Sequence, residues 1–242
     1  RFPNMICGIL TLMSLYRIGN KVAGQRFGIL WVIAFSTAVL PFFYYKSGII
    51  DPWLNLFILL GFTYFIYYLD PDSNRRRYFK LVLSALFFGL AILTKGPVPV
   101  LVFALSFFIF LLVKRVKISV SFWHVVVFFL VLISIGGSWY LYQIMDGKFD
   151  VVMDFIRYQA GLFRSDHTGH DGFTGFHFVI LFFGVFPGSI IFLASFTKKG
   201  EATDLLQMFR TWMYILFFIV LGLFSIVQTK LVHYSSLAYF PI

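Results

Sequence analysis

Eight stretches of this chain, each 17 to 23 residues long, run almost free of charge: 3–19, 27–45, 51–69, 78–94, 97–113, 122–142, 175–197 and 211–228. A helix needs about 20 apolar residues to cross a hydrocarbon core of about 30 Å, and 17–25 is the usual range. No water reaches the backbone there, so only helices or closed barrels can span it. The runs do not alternate with period two as barrel strands would, and they predict helices. A ninth apolar stretch opens near Leu231, where the sequence soon stops. The expected fold is all-α: a polytopic transmembrane helix bundle of about eight spanning helices plus a truncated ninth.

Composition agrees with the runs. The chain is 60% hydrophobic and 12% charged, where soluble domains hold roughly 45–50% apolar and about 25% charged residues. A soluble fold of this length cannot hide that much apolar surface. The one cysteine, Cys7, excludes an intramolecular disulfide framework and any multi-cysteine metal site.

The formal charge of +10 acquires a direction once the runs are in place. Alternate connections carry thirteen of the twenty basic residues against four acidic ones, a net +9; the others carry seven against six, a net +1. The positive-inside rule puts the first set in the cytoplasm. The basic balance therefore reports topology and does not call for a nucleic-acid partner. Clusters such as Arg75-Arg76-Arg77 belong to that cytoplasmic set.

Residues 143–174 form the one long extracytoplasmic loop. Loops beyond about 12–15 residues are usually functional or disordered, and Phe149, Phe155, Tyr158, Phe163 and Phe173 make this one too aromatic for disorder. Its first half, from Asp150 to Gln159, suits a short amphipathic helix at the membrane interface. The chain begins at Arg1 rather than Met and shows no internal repeat or linker. It reads as one membrane domain, 1–242, cut from a longer protein at both ends.

The outer charges are single and stand at helix ends, where ionisable residues at membrane depth tend to mark function. Asp51 opens a run as Asp-Pro-Trp; it serves either as a helix start or as a carboxylate facing an outer cavity, orienting an acceptor hydroxyl or amine or holding a cation. Lys95, in Thr-Lys-Gly-Pro, either snorkels to the headgroups or is held near the surface by the short re-entry after it. Lys230 lies in a similarly short connection, followed by His233 and Tyr234. Two lysines at that depth suit a lipid phosphate or pyrophosphate. His167 and His170, in Asp-His-Thr-Gly-His-Asp, have a spacing that permits shared ligation of a divalent metal, with His233 approaching across the outer face. A proton shuttle or a phosphate contact fits the same histidines equally well. His124 and His177 read as structural. No nucleophile elbow, Gly-rich phosphate loop or nucleotide fingerprint occurs.

Five stretches in order carry a family resemblance: Arg1-Phe-Pro-Asn4, Gly48-Ile-Ile-Asp-Pro-Trp-Leu-Asn55, Leu93-Thr-Lys-Gly-Pro97, Gly169-His-Asp-Gly172 before Phe186-Pro187, and Thr229-Lys-Leu-Val-His-Tyr234 before Phe240-Pro241. Together they resemble the polyprenyl-phosphate-sugar glycosyltransferases of the GT-C superfamily, in the bacterial aminoarabinose-transferase and protein O-mannosyltransferase-like branch. The resemblance implies an integral protein of the bacterial inner membrane, acting on its extracytoplasmic face. It would take a sugar from a polyprenyl-phosphate donor to a lipid or protein hydroxyl by inverting attack. The general base would sit in a first outer loop upstream of Arg1, absent here with the first helix, so these residues alone should be inactive. Asp51 corresponds to the second acidic position, Lys95 and Lys230 to lipid-phosphate contacts, and His170, His233 and Tyr234 to further site residues. Gly161 stands where the family often has Arg, and Arg164 is the residue at hand to replace it. Val232 stands where Pro is usual.

On this reading Asp51, Lys95, His170 and Lys230 line one outer cavity. The competing reading is a transporter or flippase for an anionic lipid or solute. Transporters usually combine internal repeats and broken helices with polar groups at the midplane, whereas the polar groups here gather at one face.

Overall fold

The computed structural model describes residues 2–70, 76–114, 121–161, 175–197, 203–226 and 231–242. Twelve α-helices and one 3₁₀ helix occur among them, and no strand. They run as α1 (Phe2–Ala23), α2 (Gln25–Thr37), α3 (Val39–Lys46), α4 (Asp51–Leu69), α5 (Arg77–Lys95), α6 (Val98–Lys114), α7 (Phe122–Gly136), α8 (Ser138–Met145), α9 (Phe149–Gly161), α10 (Phe176–Gly184), α11 (Gly188–Ser195), α12 (Asp204–Ile226) and η1 (Val232–Tyr239). The all-α expectation holds.

The central helix is α4, packed against α5, α1, α12 and η1. Its sequence is apolar on every side, as a helix surrounded by protein must be, and 72% of its window is buried. Gly61 lets α5 come close: a Cβ there would lie 3.0 Å from the Phe88 ring. Beside it, Ser84 donates to the Gly61 carbonyl at 2.8 Å, a polar tie of the kind that joins helices in lipid. Below, Phe62, Phe65, Phe103, Phe110 and Trp212 interlock edge to face and stacked, with Phe65–Phe103 centroids at 4.9 Å and Phe110–Trp212 at 4.6 Å. Such offset aromatic pairs add about 0.5–1.5 kcal/mol beyond buried area.

Three of the expected spans are broken. The run 27–45 bends by 69° between α2 and α3, the run 122–142 by 54° between α7 and α8, and the run 175–197 by 110° between α10 and α11. At the first break Thr37 donates back to the Ile33 carbonyl at 2.8 Å and Ser36 to the same carbonyl at 3.2 Å. Pro41 withholds a backbone donor one turn later, and both features bend helices. Gly136 and Gly137 mark the second break, and the third contains the cis Phe186–Pro187 bond.

By length and apolarity, three described helices (α4, α5 and α12) can cross a membrane singly, and up to six spans result if each bent pair counts as one. The other two expected spans fall short of that standard for different reasons. Helix α1 carries Asn4, Arg17, Asn20 and Lys21, and the apolar part of α6, Val98–Val113, is short. The stretch after Leu231 forms the 3₁₀ helix η1 and not a ninth α-helix. In the long connection, α9 covers the segment expected to be helical, and Phe155 rests on Trp139 and Tyr140 of α8.

Candidate active site

Four ends meet at one pole of the bundle: the start of α1, the end of α3, the start of α4 and the end of α5, with η1 across them. The side chain of Asn4 fixes the approach to α4. Buried in α1, it donates to the carbonyls of Ser47 (2.9 Å) and Ile49 (2.7 Å) and so holds the connection that delivers Asp51. Asp51 and Pro52 then form the first turn of α4, a position where a carboxylate meets the positive end of the helix dipole.

Lys95 is the last residue of α5. Gly96 follows at φ 72°, a left-handed conformation suited to glycine, and its N–H closes the helix on the Ile92 carbonyl at 2.7 Å. Pro97 starts the re-entry. The Thr-Lys-Gly-Pro motif therefore holds the ammonium at a defined helix end, near the dipole's negative pole.

The two charges join: Lys95 Nζ donates to Asp51 Oδ1 at 2.5 Å, the carboxylate 10% exposed and the lysine 32%. Lys95 Nζ also lies 5.5 Å from the centre of the Tyr234 ring. His233 completes the group. Burial pushes its imidazole below the usual range, while Asp51 pulls it up and Lys95 pulls it down. Burial pushes the Tyr234 hydroxyl up, with Tyr158 of α9 and then Asp51 adding to the effect.

One turn inside this rim lies a second polar layer. Asn55, four residues after Asp51 on α4, donates to Tyr44 Oη at 2.7 Å and to Ser236 Oγ at 2.8 Å. Ser236 donates to the same Tyr44 oxygen at 3.1 Å. All three are buried.

The site thus unites Asp51, Lys95, His233 and Tyr234. Lys230, His170, Arg164 and His167 lie outside the described residues. Among the described residues no three His, Cys, Asp or Glu side chains come together as metal ligands. Asn4 and Asn55 fall within stretches that carry the family resemblance, but the resemblance assigns them no role, and Tyr44 and Ser236 do not stand out in the sequence. Of the two other histidines, His124 shares a 2.9 Å hydrogen bond with Tyr68 and His177 is fully buried.

A groove of about 630 Å³ opens between α1 and the α2–α3 bend, lined by Met5, Ile9, Phe35, Phe42, Tyr45 and Lys46 among others. It is distinct from the site. Tyr45 lines it, whereas Tyr44 turns toward Asn55.

An all-α integral membrane protein with an ion pair at one pole is the class these features define. The family model for dolichyl-phosphate-mannose-protein mannosyltransferases matches residues 1–140, and the chain belongs to that family. None of the curated proteins matches it in sequence. Its fold is similar to two crystal structures of ArnT from Cupriavidus metallidurans, one bound to undecaprenyl phosphate (TM-score 0.83) and one in the apo state (0.81). Identity is 20% in both, and the likeness covers all of this chain but 44% and 43% of those. The chain spans less than half the length of these relatives.

Proposed function

We propose that this chain is the core of a membrane glycosyltransferase that moves a sugar from a polyprenyl-phosphate donor to a lipid or protein hydroxyl on the extracytoplasmic face of the bacterial inner membrane. The observation that carries the reading is the half-buried Asp51–Lys95 pair, flanked by His233 and Tyr234, at one pole of the bundle. Family membership and the likeness to a protein crystallised with undecaprenyl phosphate support it.

In the proposed reaction the acceptor oxygen attacks the anomeric carbon from the face opposite the phosphate. The sugar–phosphate bond breaks with its electron pair going to the polyprenyl phosphate, and the hydroxyl proton passes to a carboxylate base. The anomeric configuration inverts. Lys95, joined by Lys230 and Arg164, neutralises the charge growing on the leaving phosphate. Asp51 orients the acceptor, and His233, Tyr234 and His170 shape the space between the two substrates.

Lys95→Ala in the full-length enzyme should abolish transfer from a radiolabelled polyprenyl-phosphate sugar while expression is kept. Unchanged transfer would remove the phosphate role. Translocation of the labelled lipid without transfer would favour the flippase reading instead.

A further inference from the structure

The layer beneath the ion pair has no place in the proposed chemistry, yet it is the most fully connected side-chain cluster at that pole. Its three members come from α3, α4 and η1, and Asn55 and Ser236 are 181 residues apart in sequence. Asn55 uses both amide hydrogens, one on Tyr44 and one on Ser236. Each bond is sealed from water, because Asn55 and Ser236 are 3% exposed and Tyr44 is 6% exposed. A buried polar group left without its partner is destabilising, so this register of η1 against α4 is favoured over its neighbours.

Ser236 lies three residues after His233 and two after Tyr234, within the same short helix. Fixing Ser236 therefore fixes where those two side chains stand relative to Lys95 and Asp51. Asp51 and Asn55, one turn apart, share a face of α4. The upper member meets Lys95 and the lower one holds η1.

We infer that Asn55 is a positioning residue, whose paired hydrogen bonds to Tyr44 and Ser236 lock η1 so that His233 and Tyr234 face the Asp51–Lys95 pair and complete the lipid-phosphate site. The inference rests on the proposed function for what the site binds, but the locking itself can be read without any substrate.

The full-length protein is tested as Asn55→Leu and Ser236→Ala, with Ser236→Thr as the variant that keeps a hydroxyl. Tyr45→Phe serves as the control, since it removes a part-buried side-chain bond, Tyr45 Oη to Thr11 at 3.0 Å, on the other side of α3. Backbone amide exchange over residues 232–239 should quicken at least ten-fold in Asn55→Leu and Ser236→Ala. It should stay at the wild-type rate in Ser236→Thr and Tyr45→Phe. The dissociation constant for polyprenyl phosphate should rise about ten-fold in the first two variants only. Unchanged exchange in both Asn55→Leu and Ser236→Ala would overturn the lock. So would an equal loss of affinity in Tyr45→Phe, which would reduce the effect to general destabilisation. If wild type binds no polyprenyl phosphate, the functional reading falls, and the exchange rates still decide the lock. If Asn55→Leu fails to fold, exchange in Ser236→Ala against Ser236→Thr decides it alone.

Discussion

Asp51 and Lys95 occupy each other in the resting site, yet the proposed reaction asks them to face different substrates. The donor phosphate offers Lys95 a new anionic partner, and its arrival would free the carboxylate for the acceptor. Removing one member of a largely buried pair leaves the other uncompensated, so the two truncations should differ in kind. Lys95→Ala is expected to weaken binding of polyprenyl phosphate at least ten-fold. Asp51→Asn should keep that binding while lowering the transfer rate at least a hundred-fold. Equal effects of both variants on binding would argue against divided roles. His233 supplies a pH test. Its folded-state pKa lies below the ordinary imidazole value of 6.5, so the folded protein binds fewer protons there than the unfolded chain. Stability from this group is complete above pH 6.5 and is lost as pH falls below 6.5 toward the lowered value. A melt series from pH 7.5 to 5 should show the loss in wild type and a smaller one in His233→Gln. Isolated charges at the ends of apolar runs make Asp51 and Lys95 visible in the sequence. Tyr44 and Ser236 are not visible there, because a contact across 192 residues leaves no trace in local pattern.

Among the elements, the ends of α4 and α5 are legible to within a residue or two because their punctuation is chemical: Asp-Pro at one start and Gly-Pro after the other end. The bends are not legible. Hydropathy sums are blind to direction, so 27–45 and 175–197 read as single spans although they turn by 69° and 110°. The glycines show which punctuation bears structural strain. Gly96 sits at φ 72°, and Gly96→Ala should cost about 1–3 kcal/mol, lowering the melting temperature in detergent and loosening Lys95 from Asp51. At Gly19 the constraint is space: a Cβ would stand 2.7 Å from the Gly28 Cα across the α1–α2 contact. Gly19→Ala should destabilise by a comparable amount, about 1–3 kcal/mol. It should leave polyprenyl-phosphate affinity untouched, because α2 contributes nothing to the site. A melt and a binding isotherm on each variant would separate the two mechanisms.

For the molecule as a whole, the described residues place different chemistry at the two poles. One pole gathers Asp51, Lys95, His233 and Tyr234, while at the other Lys21 lies 3.5 Å over the Tyr67 ring and Arg77 donates to the Tyr68 carbonyl at 3.0 Å. In the sequence, the set of connections that includes Lys21 and Arg77 carries a net +9 and the alternate set, which includes Lys95, a net +1. On the positive-inside rule, the proposed orientation has the ion pair facing outward. That orientation is necessary to the proposed chemistry, because a site using a lipid-linked donor on the outer leaflet cannot face the cytosol. It can be tested without any substrate in a protein cleared of other cysteines, since Cys7 is fully buried and reacts little with thiol labels. Lys148→Cys, on the exposed connection between α8 and α9, should react with a membrane-impermeant maleimide in intact cells whose outer barrier has been opened. Arg26→Cys, exposed at the start of α2, should react only after the inner membrane is permeabilised. The opposite pattern would place the ion pair in the cytoplasm, and the extracytoplasmic transfer would fall with it.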